Sequence, residues 1–292
     1  MSNLEHGSYY LPEPSHWPII GSIGLFCTLF GAAHWLHGVH YGPYLFMIGL
    51  CIVVFMMFGW FHQVIKESRL GLYDKQLDRS FRWGMSWFIF SEVMFFSGFF
   101  GVLLYVRLWS VPWLGGSDGY EVNVYLIWQH FVATWPLLHT PNPNAFIGPH
   151  AEMYTWGLPA LNTLLLLTSG VTITFAHWGL LKNNRKMLII GLILTIILGL
   201  AFLSCQALEY TEAYTDKGLK LTSGIFGTTF FSLTGFHGFH VTVGTIMLIV
   251  ILCRCLAGHF DKEHHFAFEA VSWYWHFVDV VWLLLFIFVY WL

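Results

Sequence analysis

Long apolar runs dominate this chain, and polar residues punctuate them instead of alternating with them. A helix that crosses a bilayer needs about 20 mostly apolar residues. Seven stretches are long enough, at 17–37, 41–65, 83–106, 156–181, 187–208, 223–253 and 266–292. The second, fourth, fifth and sixth contain no Asp, Glu, Lys or Arg. A further apolar stretch, Val124–Leu138, has only 15 residues. It is too short to span, and its Trp128, His130, Trp135 and Pro136 predict a segment lying in the membrane interface. The fold class expected is an all-α integral membrane protein with seven transmembrane helices.

Composition agrees with the pattern. Of 292 residues, 57% are apolar and 10% are charged, against about 25% charged in an ordinary soluble domain. The mean hydropathy is +0.63. These values exclude disordered tails, coiled coils and cytosolic enzyme folds. The net charge of −3 is uninformative, and no basic patch interleaves with aromatics, so a nucleic-acid partner is excluded. The five cysteines lie in or beside apolar runs and are read as small buried hydrophobes. Met1–Pro18 lacks a basic start and carries Glu5 and Glu13, so it is not expected to be a cleaved signal.

Orientation follows from the basic residues. Lys66, Arg69, Lys75, Arg79, Arg82, Lys182, Arg185, Lys186, Arg254 and Lys262 fall on one side, and only Arg107, Lys217 and Lys220 on the other. The positive-inside rule puts the N-terminus in the cytoplasm and the segment Ser110–Thr155 outside. The expected organisation is a tail and two helices over 1–66, a cytoplasmic loop over 67–82, and a five-helix bundle over 83–292 carrying the outer loop 110–155. The pairs Gly21/Gly24, Gly98/Gly101, Gly224/Gly227 and Gly235/Gly238 predict close helix packing. No internal repeat is visible.

A few polar residues sit where hydrocarbon should be. Glu92, in Ser91-Glu92-Val93-Met94-Phe95-Phe96, has only Phe88, Ile89, Phe95 and Phe96 in reach on its own helix. Another helix must supply a partner, or burial must keep the carboxyl protonated. This makes Glu92 a candidate for proton handling. In the seventh span His265, Glu269, Ser272, His276 and Asp279 share about 80° of arc along about 21 Å of helix. Such a stripe must face protein or water, and is read first as an interhelical network. His34/His37/His40 and His237/His240 invite a haem or metal reading, but no acidic co-ligand is evident beside His237 or His240, so no metal site is expected. There is no mid-helix Lys for a Schiff base, no phosphate loop and no nucleophile elbow. Two alternatives stay open on these residues: a haem-b quinone-reactive anchor using His237 or His240, and a proton-coupled transporter using Glu92 and the stripe.

The run His264-His265-Phe266, Phe268-Glu269-Ala270 and Trp273-Tyr274-Trp275-His276-Phe277-Val278-Asp279-Val280-Val281-Trp282 closely resembles subunit III of cytochrome c oxidase. So do Gly227-Thr228-Thr229-Phe230-Phe231 and Thr234-Gly235-Phe236-His237-Gly238-Phe239-His240 in the sixth span. The resemblance continues through Leu161-Asn162-Thr163, Ala176-His177, Gln206-Ala207, Glu209-Tyr210 and Ser91–Phe96, where Glu92 takes the position of the family's carbodiimide-reactive carboxylate. It implies a non-catalytic subunit packed on subunit I. Helices 1–2 and 3–7 would form a V-shaped cleft for structural phospholipids. Haem A and copper (CuA and CuB) would reside in subunits I and II, with cytochrome c as the electron donor of the whole complex. It also implies support of proton uptake and protection of the active site during turnover. Lipid-headgroup candidates are Lys66 and Glu67, with Lys standing where Arg is common, together with Arg82 and Arg254. The family's Gly-His-His-Thr after span two is replaced here by Gly71-Leu72-Tyr73-Asp74. The long segment Ser110–Thr155 points to a bacterial inner membrane over a mitochondrial one.

Overall fold

The computed structural model describes residues 14–122, 126–129, 131–145 and 147–292. Glu5, Glu13, Val124 and His130, which entered the expectations above, lie outside the described residues. The seven apolar runs form α1 (Trp17–Leu36), α2 (Gly42–Arg69), α3 (Lys75–Tyr105), α4 (Leu158–Leu181), α5 (Arg185–Thr215), α6 (Gly224–Leu256) and α7 (Phe266–Leu285). All seven are long and apolar enough to cross a membrane, and no strand occurs among the described residues. One wide helical turn, Val106–Ser110, carries α3 on to Leu114, and another extends α7 over Phe286–Trp291.

Several helices outrun their apolar stretch. The loop expected over 67–82 shrinks to residues 70–74, because α2 continues to Arg69 and α3 begins at Lys75. Local polar chemistry explains the extension. Asp74 Oδ1 accepts the Leu77 N–H at 2.7 Å, capping a first turn whose donors have no intrahelical partner. One turn on, Asp78 pairs with Arg82 at 2.8 Å, four residues apart on the same face. Likewise α5 runs seven residues past the predicted end at 208, to Thr215. Pro18, Pro43 and Pro159 sit at the first positions of α1, α2 and α4, where a missing N–H costs nothing.

Contacts divide the chain into two units, Met1–Trp83 and Gly84–Leu292. In the first, α1 and α2 approach backbone to backbone. A Cβ on Gly31 would stand 2.3 Å from the Phe46 nitrogen, and one on Gly49 would stand 2.3 Å from the Thr28 nitrogen. The predicted Gly21/Gly24 pair contributes, but Gly31, Gly42 and Gly49 make the tighter contacts. Trp17 Nε1–H donates to Gln63 Oε1 at 2.9 Å across the hairpin.

In the second unit α4 to α7 surround a core of Leu166, Ile173, Phe202, Leu248, Trp275 and Trp282. Trp275 is fully buried. Its indole fits because Gly199 on α5 and Gly244 on α6 leave room, and its N–H donates to Ser169 Oγ on α4 at 2.9 Å. The end of the predicted interfacial stretch packs onto this bundle, with Leu137 buried and Trp135 edge-on to Phe226 at 5.6 Å. Gly98 and Gly101 pack against nothing within 4 Å, contrary to the expectation of close packing there. Gly224, at φ +76°, starts α6, and a Cβ at Gly227 would strike the Lys220 carbonyl, so this pair shapes a turn instead of a helix crossing. All five cysteines are free, and only Cys255 is buried; Cys51 and Cys253 are exposed, against the sequence reading.

Candidate functional site

The deep polar residues of the second unit meet across helices. Glu92 on α3 finds its partner on α6: Glu92 Oε2 lies 2.9 Å from His240 Nε2. The other ring nitrogen, Nδ1, lies 2.6 Å from the Phe236 carbonyl one turn back. A carbonyl only accepts, so Nδ1 carries a hydrogen, and the Nε2–Oε2 contact is bridged by one proton. Phe96 closes on the imidazole at 5.1 Å and Tyr274 of α7 stacks over it at 6.3 Å. An acidic group therefore does stand beside His240, which corrects the sequence reading. The error arose because the contact joins residues 148 apart in the chain.

His237 is fully buried, and its Nε2–H donates to the Val278 carbonyl at 3.1 Å. Phe202 and Trp282 pack against its ring at 5.7 and 5.1 Å.

The α7 stripe lies against α4. His265 Nε2 is 3.1 Å from Glu269 Oε1, and His177 Nε2 of α4 is 3.8 Å from the same oxygen. Two turns on, His276 Nδ1 lies 3.7 Å from Asp279 Oδ2, while its Nε2 reaches Thr174 Oγ1 at 3.4 Å. Asp279 fits because the facing residue is Gly170, where a Cβ would come within 2.5 Å of the carboxylate. Thus Gly170, Thr174 and His177, spaced by four and three residues on α4, form the face that receives the stripe. Ser272 is buried within it. His276 and Asp279 border an open, mostly apolar groove of about 380 Å³, also lined by Leu167, Phe175 and Trp178.

Two participants escaped the sequence reading. His177 lies on the fourth predicted span with no evident role, since its link to the stripe depends on which helix neighbours which. Glu209 falls beyond the predicted end of the fifth span, yet it is fully buried on α5. The Tyr290 hydroxyl lies beside it, outside strict hydrogen-bond geometry. A helix carried on past 208 to residue 213 puts Phe202, Gln206, Glu209 and Ala213 on one face, which is the face the structure buries.

The headgroup candidates are differently engaged. Lys66 is exposed. Glu67 accepts from Gln63 Nε2 at 2.9 Å and from the Tyr73 hydroxyl at 3.0 Å, so the departure at Gly71–Asp74 supplies Glu67 with a donor. Arg82 pairs with Asp78. Arg254 stacks its guanidinium over Phe260 at 4.4 Å.

Seven helices long and apolar enough to cross a membrane, with polar pairs that meet across helices, define a multi-pass helical membrane protein. The chain matches the family described as cytochrome c oxidase subunit III over residues 7–118 and 125–292. It is 39% identical over 292 residues to cytochrome c oxidase subunit 3 of Arabidopsis thaliana, covering 100% of this chain and 98% of the relative. It is 39% identical to that of Drosophila melanogaster, covering 100% of this chain and 99% of the relative. With that of Scyliorhinus canicula it shares 40% over 284 residues, covering 97% and 96%. The chain belongs to the cytochrome c oxidase subunit III family.

Proposed function

We propose that this chain is the non-catalytic third subunit of a proton-pumping cytochrome c oxidase, packed on subunit I. Haem A and copper belong to subunits I and II, and cytochrome c donates the electrons. The carrying observation is family membership from end to end. The surface of the chain supports a place within a larger assembly. On α3, Trp87, Phe90, Met94 and Val102 are exposed beside the open faces of Gly98 and Gly101. In a membrane, small residues with nothing against them let another helix approach closely.

Glu92 and His240 share one proton within the apolar bundle, which suits a role in supporting proton uptake. Structural phospholipid is proposed at the charged helix ends. Lys66 is the better headgroup candidate because it is exposed, whereas Arg82 and Glu67 pair with protein groups and Arg254 stacks on Phe260. The setting proposed is a respiratory membrane, bacterial on the length of Ser110–Thr155.

The surroundings of His237 and His240 disfavour the haem-anchor alternative. His237 is fully buried, with Phe202 and Trp282 packed against its ring, and both nitrogens of His240 are engaged. Extraction of the native membrane in mild detergent, pull-down through this chain, a visible spectrum and an O₂-uptake assay test the proposal. Haem a, copper and oxidation of cytochrome c in the eluate are expected. A lone colourless chain, recovered while other respiratory complexes survive intact, would refute it and favour the transporter.

A further inference from the structure

Midway along α7 the polar stripe opens onto the surface of the second unit. The groove of about 380 Å³ between α4 and α7 has Leu167, Val171, Thr174 and Trp178, spaced by four, three and four residues, along one wall. His276, Val280 and Leu283, spaced by four and three, form the other. We propose that this groove seats a transmembrane helix of another subunit, and that this helix brings a hydrogen-bond donor side chain to Asp279. The proposal rests on the reading that the chain works inside a multi-subunit oxidase, and it assigns the surface and the chemistry of one contact there.

The carboxyl of Asp279 is short of donors. The residue is 5% exposed and lines the groove, and its Oδ1 has no hydrogen-bond partner. Oδ2 meets His276 Nδ1 at 3.7 Å, too long for a hydrogen bond. The facing helix supplies nothing more. Gly170 has no side chain, and the Thr174 hydroxyl donates its hydrogen to the Gly170 carbonyl at 2.9 Å. Whether ionised or neutral, a carboxyl keeps acceptor capacity, and here α4 and α7 leave it unfilled. A buried acceptor without a donor is costly, so a donor from outside the chain is favoured.

Depth decides what can bring that donor. Asp279 stands about 18–20 Å from either end of the helical run Phe266–Trp291, at 1.5 Å per residue. Lipid offers only methylene groups at that level, with headgroups and water at the far ends of the span. An N–H or O–H at mid-depth must therefore come from protein. The imidazole of His276, 43% exposed on the rim, needs the same cover to escape hydrocarbon.

Shape agrees with this occupant. The walls run for about 16 Å along α4 and about 10 Å along α7, or two to three turns. A furrow between two rows of side chains at spacings of three and four is the form that receives a ridge of another helix. Its sides are mostly apolar, and one polar contact at the centre is how membrane helices add specificity to packing.

The test uses the complex purified in mild detergent through the full chain, with Val280→p-benzoylphenylalanine in place at the groove wall. Irradiation is expected to join this chain to a transmembrane peptide of another subunit, identified by mass spectrometry, with an N–H or O–H side chain within one turn of the joined residue. Adding Asp279→Ala is expected to cut that adduct about 3- to 20-fold. Adducts to lipid alone, to a second copy of this chain, or to a helix without such a donor would overturn the proposal, as would an adduct unchanged by Asp279→Ala. If the double variant fails to assemble, the peptide joined in the single variant decides. A chain that comes down with no other subunit would overturn the oxidase reading and the proposal together, whereas an assembled complex giving only lipid adducts overturns the proposal alone.

Discussion

Replacing Glu92 separates two descriptions of its bond to His240. Because Nδ1 of His240 faces a carbonyl at 2.6 Å, one proton serves the 2.9 Å contact between Nε2 and Glu92 Oε2. That proton either belongs to a neutral carboxylic acid donating to Nε2 or to an imidazolium donating to a carboxylate. The neutral description predicts that Glu92→Gln is mild, below about 1 kcal/mol, since an amide N–H replaces the acid O–H as donor. Glu92→Ala leaves His240 Nε2 without its partner in a side chain only 9% exposed. Such an orphaned buried group costs about 1–3 kcal/mol, or roughly 5- to 150-fold in a stability equilibrium. The assay is the fraction of chain in the assembled complex on native gels, followed through a temperature ramp in mild detergent. Glu92→Ala should lose assembly at clearly lower temperature than Glu92→Gln. Equal and severe loss in both would refute the neutral description, because breaking a buried ion pair costs about 3–5 kcal/mol whichever neutral residue replaces the acid.

Gly199→Ala should destabilise the bundle by about 1–3 kcal/mol, since its Cβ would meet the rigid Trp275 ring at 2.8 Å; Gly98→Ala, with open space around it, should leave thermal unfolding of the isolated chain in detergent unchanged. Trp275→Phe should cost about 1 kcal/mol for the lost bond to Ser169, plus the cavity left by the smaller ring, read by thermal unfolding. Outside the membrane-spanning segments, the backbone N–H of His264, with that of Glu263, holds the Asp261 carboxyl below its ordinary value. A depressed carboxyl contributes order above its unfolded pKa and loses it as pH falls through the folded one. Exchange protection of amides in the 257–265 turn should therefore drop on acidification below about pH 4, and Asp261→Asn should abolish that pH dependence.

The seven helices were legible because hydrocarbon leaves a chain few ways to satisfy its backbone, and apolar length reports this directly. Helix ends were less legible. Glu67–Arg69, Lys75–Arg82 and Glu209–Thr215 are polar stretches that stay helical, and a hydropathy window stops short of them. The same limit split the candidate site. His265 with Glu269 and His276 with Asp279 could be read as pairs because each lies on one helix at a spacing of four or three. Glu92 with His240 and His177 with Glu269 could not, since hydropathy identifies spans and is silent on which helices touch. Glu92 was still singled out, because a carboxylate at that depth demands a partner even when the sequence cannot name it.

Small residues and polar partners recur together across the second unit, and their coincidence says what sets helix register. Asp279 sits where α4 offers Gly170. Gln206 lies over Gly238 and donates to the Thr234 carbonyl at 3.0 Å. Trp275 lies between Gly199 and Gly244, with its one donor on Ser169. Apolar side chains gain little by exchanging lipid for one another, so a bundle of Leu and Phe alone would slide with small penalty. Each of these contacts carries a steric gap and a hydrogen-bond or charge partner at the same level. A shift of one turn would remove both at once, driving a Cβ into the ring or carboxylate while stranding a polar atom. The deep polar groups of α4 to α7 thus fix where those helices stand and where His240 is held, and the 2.9 Å contact of His240 with Glu92 joins α3 to that frame.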